Sequence, residues 1–321
     1  MRKSSTRSST ARRPKPPPPR LQPLPKTPAT PPLIVAGRGN LGRSLARALR
    51  ATDHQVRLLS ARTQLHEVVQ TLHGRAGATV VFLTVPDSAV TEVAARLAAG
   101  PQIPAGIAFV HTSGALELGA LAPLRARHAV GSFHPLRSFP EPGPPQAFRG
   151  IVIAVDANAP ALLRTLNRLA RGLGAKPRHV DDTRRALYHA AAVFASNYVV
   201  ALMRVAVSLL EEAGWTEKEA VQGLATLAEG AVANVRKQGP IAALTGPIRR
   251  GDAQTVARHL AALTEIEERS GRGGPTSDLY RMLGEVALEI AQQVGLEPGA
   301  AERTRRALTR KVAATRRRSR K

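Results

Sequence analysis

From residue 33 to about residue 180, short apolar runs alternate with longer segments whose apolar residues recur every three or four positions. The short runs are Leu33 to Ala36, Gln55 to Leu59, Thr79 to Val85, Ile107 to His111, Ala129 to Phe133 and Ile151 to Val155. They read as strands buried on both faces, and segments such as Leu41 to Leu49 and Ser88 to Leu97 read as amphipathic helices between them. A helix over Ala159 to Leu173 and a short strand near Arg178 to Val180 close this half. Such alternation predicts an α/β domain built on a parallel sheet. Ser138 to Arg149 holds four prolines and Gly143, and reads as a loop.

Beyond Asp182 the strand pattern stops. Helical spacing predicts helices at about 183–213, 216–236, 253–269, 276–294 and 298–313, with Gly214, Gly239, Gly251, Gly271 and Gly295 as breaks or caps. The expected organisation is a domain over 33–181 followed by an all-helical domain over 182–300. The segment Ala186 to Leu210 is apolar nearly all round, which predicts burial between other elements.

Charge changes the picture only at the ends. The net charge of +24 includes +8 in residues 1–32, which hold no acid, and +9 in residues 301–321, leaving +7 for the 268 residues between. The first segment, rich in proline and poor in apolar residues, is expected to be disordered. The last run, Thr315-Arg316-Arg317-Arg318-Ser319-Arg320-Lys321, carries phosphate-binding chemistry but reads first as a solvated end. No cysteine is present, which excludes disulfides, thiolate metal sites and a cysteine nucleophile, and no metal site is expected. The polar residues His189, Ser196, Asn197 and Arg204 interrupt the most apolar helix, so no membrane span is expected and the reading is cytoplasmic.

The strongest motif is Ile34-Val35-Ala36-Gly37-Arg38-Gly39-Asn40-Leu41-Gly42, which runs into the helical pattern Ser44 to Leu49. Strand, G-x-G-x-x-G and helix in that order form a Rossmann dinucleotide-binding fingerprint. Gly37 permits the tight turn, Gly39 lets backbone approach the pyrophosphate, and Gly42 lets helix and strand pack closely. An NAD site usually carries a carboxylate about 20 residues after the first glycine. Here the stretch is Leu58-Leu59-Ser60-Ala61-Arg62-Thr63, where a hydroxyl and a guanidinium suit a 2′-phosphate and therefore NADP. Arg38 offers a second positive contact. At the end of the third strand, Val85 and Pro86 form an extended turn at the ligand-binding edge, and Asp87 reads as a cap for the helix that follows.

Candidate chemistry lies further along. His111 and Ser113, and then His134 and Arg137, fall at the ends of later strands, where substrate-binding loops belong, with Arg137 as an anion clamp. On the apolar helix, His189, Ser196 and Asn197 are seven and eight positions apart and would stack on one side. A histidine with an ordinary pKa of about 6.5 suits a general acid, although His189 and the two earlier histidines read equally well as hydrogen-bonded structural residues. Between later helices, Thr245 and Arg250 lie in a loop punctuated by Gly246-Pro247 and closed by Asp252, a helix cap, and would be substrate contacts if that loop reaches the cleft.

These motifs together resemble the Rossmann-like proteins with an attached domain of unknown function, a family regarded as NADP-dependent oxidoreductases. The residues that carry the resemblance are the glycine loop, Val85-Pro86-Asp87, His111-Thr112-Ser113-Gly114, Phe133-His134-Pro135-Leu136, His189-Ala190-Ala191 with Ser196-Asn197, and Thr245-Gly246-Pro247 with Arg250-Gly251-Asp252. The family is similar to the superfamily of 6-phosphogluconate dehydrogenase, ketopantoate reductase and pyrroline-5-carboxylate reductase. The resemblance implies an all-helical C-terminal domain, dimerisation through it and a cleft between domains. In several of those enzymes a Lys and an Asn one turn apart carry the chemistry, but this chain has Val193 four residues before Asn197. The expected general acid is therefore His189, with Asn197 and Ser196 orienting a small polar substrate.

The expectation is a homodimeric NADP-dependent oxidoreductase acting on a C=O or C=N group. Two alternatives stay open: a non-catalytic NADP(H)-binding sensor, and a nucleic-acid-associated protein acting through its basic tails.

Overall fold

The computed structural model describes residues 33–61, 79–270 and 276–310. The tails and Arg62 lie outside the described residues. The chain divides into two compact units, up to Ala191 and from Ala192 onward.

Among the described residues the first unit holds seven strands: β1 (Leu33–Ala36), β2 (Val56–Leu59), β3 (Thr79–Leu83), β4 (Ile107–His111), β5 (Ala129–Pro135), β6 (Val152–Ala157) and β7 (Lys176–His179). Their order is β2-β1-β3-β4-β5-β6-β7. Because β1 lies between β2 and β3, both parallel to it, the strand order reverses there. In open α/β sheets that reversal leaves a crevice beyond the carboxyl ends of the strands, and ligands bind in it.

Alternate residues of the strands feed two cores. Leu33, Val35, Val80, Phe82, Val110 and Phe133 face one side, under α1 (Asn40–Arg50) and α4 (Pro160–Gly172). Ile34, Ala36, Val81, Leu83, Phe109 and Val130 face the other, under α2 (Asp87–Ala99) and the short α3 (Ala122–Arg125). This two-sided burial explains why the strands are apolar runs rather than alternating ones.

The sheet is not wholly parallel as the sequence pattern predicts, since β6 runs antiparallel to β5. The proline-rich link between them forms only a short 3₁₀ turn, Pro145–Phe148, whose Phe148 is buried in the first core. Without a crossover helix, a chain leaving β5 re-enters the sheet from the same end.

From Arg185 onward the described elements are all helices, and the division after Ala191 falls within the first of them. The one long helix expected over 183–213 is two: α5 (Arg185–Ala195) and α6 (Asn197–Glu212), broken at Ser196 with φ −130° and ψ −75°. Then follow α7 (Glu217–Ala242), α8 (Ala253–Ser270), α9 (Thr276–Gln293) and α10 (Pro298–Thr309). A small core of Ile248, Val256, Leu260, Leu288, Ala301 and Leu308 joins the last three.

The predicted burial of the apolar segment is overturned. Leu187 is 73% exposed, Phe194 67% and Val200 70%. Among the described residues, the run Asp182–Glu212 is long and apolar enough to cross a membrane, with a mean hydropathy of 1.8 in its most apolar window. Apolarity on every side predicts a cover, but the described residues do not supply it.

Candidate functional site

The glycine loop stands at the reversal of strand order. Gly37 has φ +139°, and a Cβ on it would collide with the Thr84 carbonyl and hydroxyl. Thr84 Oγ1 donates to the Gly37 carbonyl at 3.0 Å, which locks the end of β3 to the loop. A Cβ on Gly42 would strike the Gly37 carbonyl, so helix and turn touch only through glycine. Gly39 has no atom within 4 Å of its Cβ position, and it begins α1 with no side-chain cap. The first N–H groups of a helix lack intrahelical partners, so this end presents donors beside open space. Those are the features a pyrophosphate requires, and the loop fits a dinucleotide.

Other expected cofactor contacts have structural duties. The Asn40 amide donates to the carbonyls of Phe139, at 3.1 Å, and Pro140, at 2.7 Å, fastening the proline-rich loop over α1. Ser44 Oγ accepts from the Gly143 amide at 2.9 Å and reinforces that clasp. Leu41 and Val85 pack against the two cores. Arg38 is exposed, Ser60 is half-buried after β2, and Pro86 precedes the first residue of α2. Asp87 does not cap α2: its carboxylate accepts from Ser113 Oγ at 2.7 Å.

Beside this loop, the ends of β4 and β5 and the first turns of α5 converge. His111 is completely buried, its ring nitrogens without a sound hydrogen bond. Burial first, then the charges of Arg185 and His134, pull its pKa down to about 3, against a weaker backbone interaction at Glu117. His134 Nδ1 lies 2.7 Å from the Tyr188 hydroxyl. Burial, then His189 and Arg185, lower the His134 pKa to about 4, opposed by Asp87. Burial pushes the Tyr188 phenol up to about 12, against the pull of Arg185. At neutral pH this part of the edge is therefore made of uncharged imidazole and phenol. The His134 and His189 rings are 6.4 Å apart, and a Cβ on Gly114 would lie 2.9 Å from both His134 Nε2 and His189 Nδ1. Glycine is required there because two histidines close over its α-carbon.

Residues 29–135 match a Rossmann-like domain, and residues 151–287 match a domain of unknown function, DUF2520. The chain joins a Rossmann-like domain to a DUF2520 domain. The second match begins at β6, inside the sheet, and so embraces α5 with Tyr188 and His189. Comparison with curated proteins gives no match. Among solved structures, a candidate NADP oxidoreductase from Bacteroides fragilis is 22% identical with a TM-score of 0.62, covering 80% of this chain and 97% of its own. A protein from Thermotoga maritima is 26% identical with a TM-score of 0.61, covering 82% and 99%. An NADH-preferring ketol-acid reductoisomerase from an uncultured archaeon shares the fold at 14% identity and a TM-score of 0.51, covering 82% and 84%.

Several expected substrate contacts of this two-domain chain are committed elsewhere. Ser113 Oγ spends its one proton on Asp87 and accepts from the amides of Ala115 and Leu116 at 3.1 and 3.0 Å. Buried His111 has no surface to offer a substrate. Arg137 donates to the Ala147 carbonyl at 3.2 Å, bracing its loop rather than standing as a free anion clamp. Thr245 and Arg250 are exposed in the turn between α7 and α8, where Asp252 caps α8 by accepting from the Thr255 amide at 3.0 Å. Ser196 and Asn197 belong to the second unit, and the break at Ser196 removes the continuous helical stacking expected of them with His189.

Arg185 is the residue that sequence reasoning missed. It is 0% exposed, reaches the Ser113 carbonyl at 3.4 Å, donates to Ser132 Oγ and lies 3.4 Å from Asp182 Oδ1. The available signal was spacing: Arg185 stands three and four residues before Tyr188 and His189, on one helical face.

Proposed function

We propose that the protein is an NADP(H)-dependent reductase or dehydrogenase of a small polar substrate. One observation carries this reading: the glycine turn, with open space at Gly39, lies on the same sheet edge as the uncharged His134–Tyr188 pair and His189. Backbone N–H groups at the start of α1 would hold the pyrophosphate, and Ser60, Arg62 and Arg38 would receive the 2′-phosphate. Bound there, the nicotinamide supplies hydride chemistry at a C=O or C=N carbon. His189 gives the proton to the oxygen or nitrogen of the substrate, or takes it in the reverse direction. The resemblance to oxidoreductases agrees with this reading without naming a substrate.

The proposal includes a cytoplasmic homodimer. Leu187, Phe194, Val200 and Leu227 are each well exposed, and a second copy would cover them. Light scattering on full-length protein should give twice the chain mass; the mass of one chain would remove the dimer from the account.

The chemical assignment is tested by following NADPH oxidation with a panel of small ketones, 2-oxo acids and cyclic imines. We expect turnover with at least one class, and in His189→Gln a loss of about 10²-fold or more with NADPH affinity retained. NADPH binding without turnover on any of them would make the protein a sensor.

A further inference from the structure

Among the described residues Arg185 is the largest completely buried side chain, and three groups hold its charge in place. Its guanidinium meets the Ser113 carbonyl beyond the end of β4, Ser132 Oγ within β5 and Asp182 Oδ1 just before α5. Asp182 is itself anchored, accepting from the Leu118 amide at 2.8 Å. Across the strand pair, Ser132 stands opposite Asp156, whose carboxylate accepts from Ala157 N and pairs with His179 Nε2 at 3.0 Å. Asp156 and Asp182 both favour the charged form of Arg185 against its burial.

We propose that Arg185 is a positioning residue: it bolts the first turn of α5 to the ends of β4 and β5, and so sets how Tyr188 and His189 stand over those ends. A buried charge is costly unless it is paired, so the arrangement is retained for what it holds rather than for stability alone. The same face of α5 carries Tyr188 and His189 one turn on, where Tyr188 meets His134 and His189 closes on Gly114. Lysine, a single point of charge, cannot span three acceptors as the planar guanidinium does.

The charge has a second consequence. The titratable groups around it are His111, His134, Tyr188, His189, Asp87, Asp156 with His179, and Asp182. A fixed cation beside them discourages protons on His111 and His134.

The inference rests on the reading that Tyr188 and His189 face the substrate, but its test uses no turnover. Full-length wild type, Arg185→Lys, Arg185→Gln and Ser132→Ala are labelled at histidine and tyrosine and titrated by NMR, with NADPH affinity measured in parallel. In Arg185→Gln the His134 midpoint should rise by about half a pH unit or more. In Arg185→Lys it should stay low while the His134–Tyr188 contact weakens, and Ser132→Ala should weaken that contact less. NADPH affinity should remain within about threefold throughout, because the glycine turn makes no contact with Arg185. An unmoved His134 midpoint in folded Arg185→Gln, or an intact His134–Tyr188 contact in Arg185→Lys, overturns the proposal. If Arg185→Gln does not fold, the lysine variant alone decides. Absence of NADPH binding in the wild type would defeat the reductase reading and leave these ring signals as they are.

Discussion

The Tyr188 hydroxyl lies 2.7 Å from His134 Nδ1, joining the first turn of α5 to the end of β5. Neutral imidazole offers one donor and one acceptor, and a phenol donating to Nδ1 would leave the proton on Nε2, over Gly114. Tyr188→Phe should therefore destabilise the protein by about 1 kcal/mol and release the ring of His134. Urea unfolding measures the first effect, and a wild-type midpoint in the variant would argue against a working hydrogen bond.

His111 and His134, both strongly depressed, make stability depend on pH. Unfolded, each binds a proton near pH 6.5; folded, His134 does so only near 4 and His111 near 3. Between those limits the unfolded chain holds more protons, so stability is full above about pH 6.5 and falls as the pH drops toward 4 and then 3. Unfolding midpoints at pH 7.5, about 5.5 and about 4 should decline in that order. Arg185→Gln should flatten the decline.

Gly37 and Gly39 should respond oppositely to alanine. Gly37→Ala places a methyl against Thr84 in a left-handed backbone conformation and should cost about 1–3 kcal/mol of stability. Gly39→Ala meets open space, so folding should be unchanged while the methyl occupies the approach to the pyrophosphate. Thermal melts together with NADPH titrations separate the two effects.

Gly114→Ala should displace both His134 and His189, at a cost of about 1–3 kcal/mol. Calorimetry gives that cost. A variant as stable as wild type, with both histidine ring signals unmoved, would show that the two rings do not close over residue 114.

Much of this arrangement is legible in the residues because the constraints are local. The strand that begins at Leu33 feeds two cores through alternate positions, and the spacing of Gly37, Gly39 and Gly42 encodes its own turn. Asp252 caps a helix as its place beside Gly251 suggests. What stays hidden depends on partners distant in sequence. Asn40 turns to Phe139 and Pro140, about a hundred residues on, and Ser113 turns back to Asp87. Arg185 looks like an ordinary polar start to a helix until β4 and β5 close around it. The direction of β6 escapes because an apolar run looks the same in parallel and antiparallel neighbours, and the exposure of Phe194 because apolarity signals a cover without saying which molecule provides it.

The central claim is that this turn holds a 2′-phosphorylated dinucleotide. It is tested most directly by fluorescence titration of full-length protein, and of Gly39→Ala, with NADPH and NADH. The account predicts that wild type binds NADPH about tenfold or more tightly than NADH, and that the folded alanine variant loses most of that affinity. Equal affinity for the two would contradict the preference for NADP, and undiminished binding in Gly39→Ala would contradict the site itself.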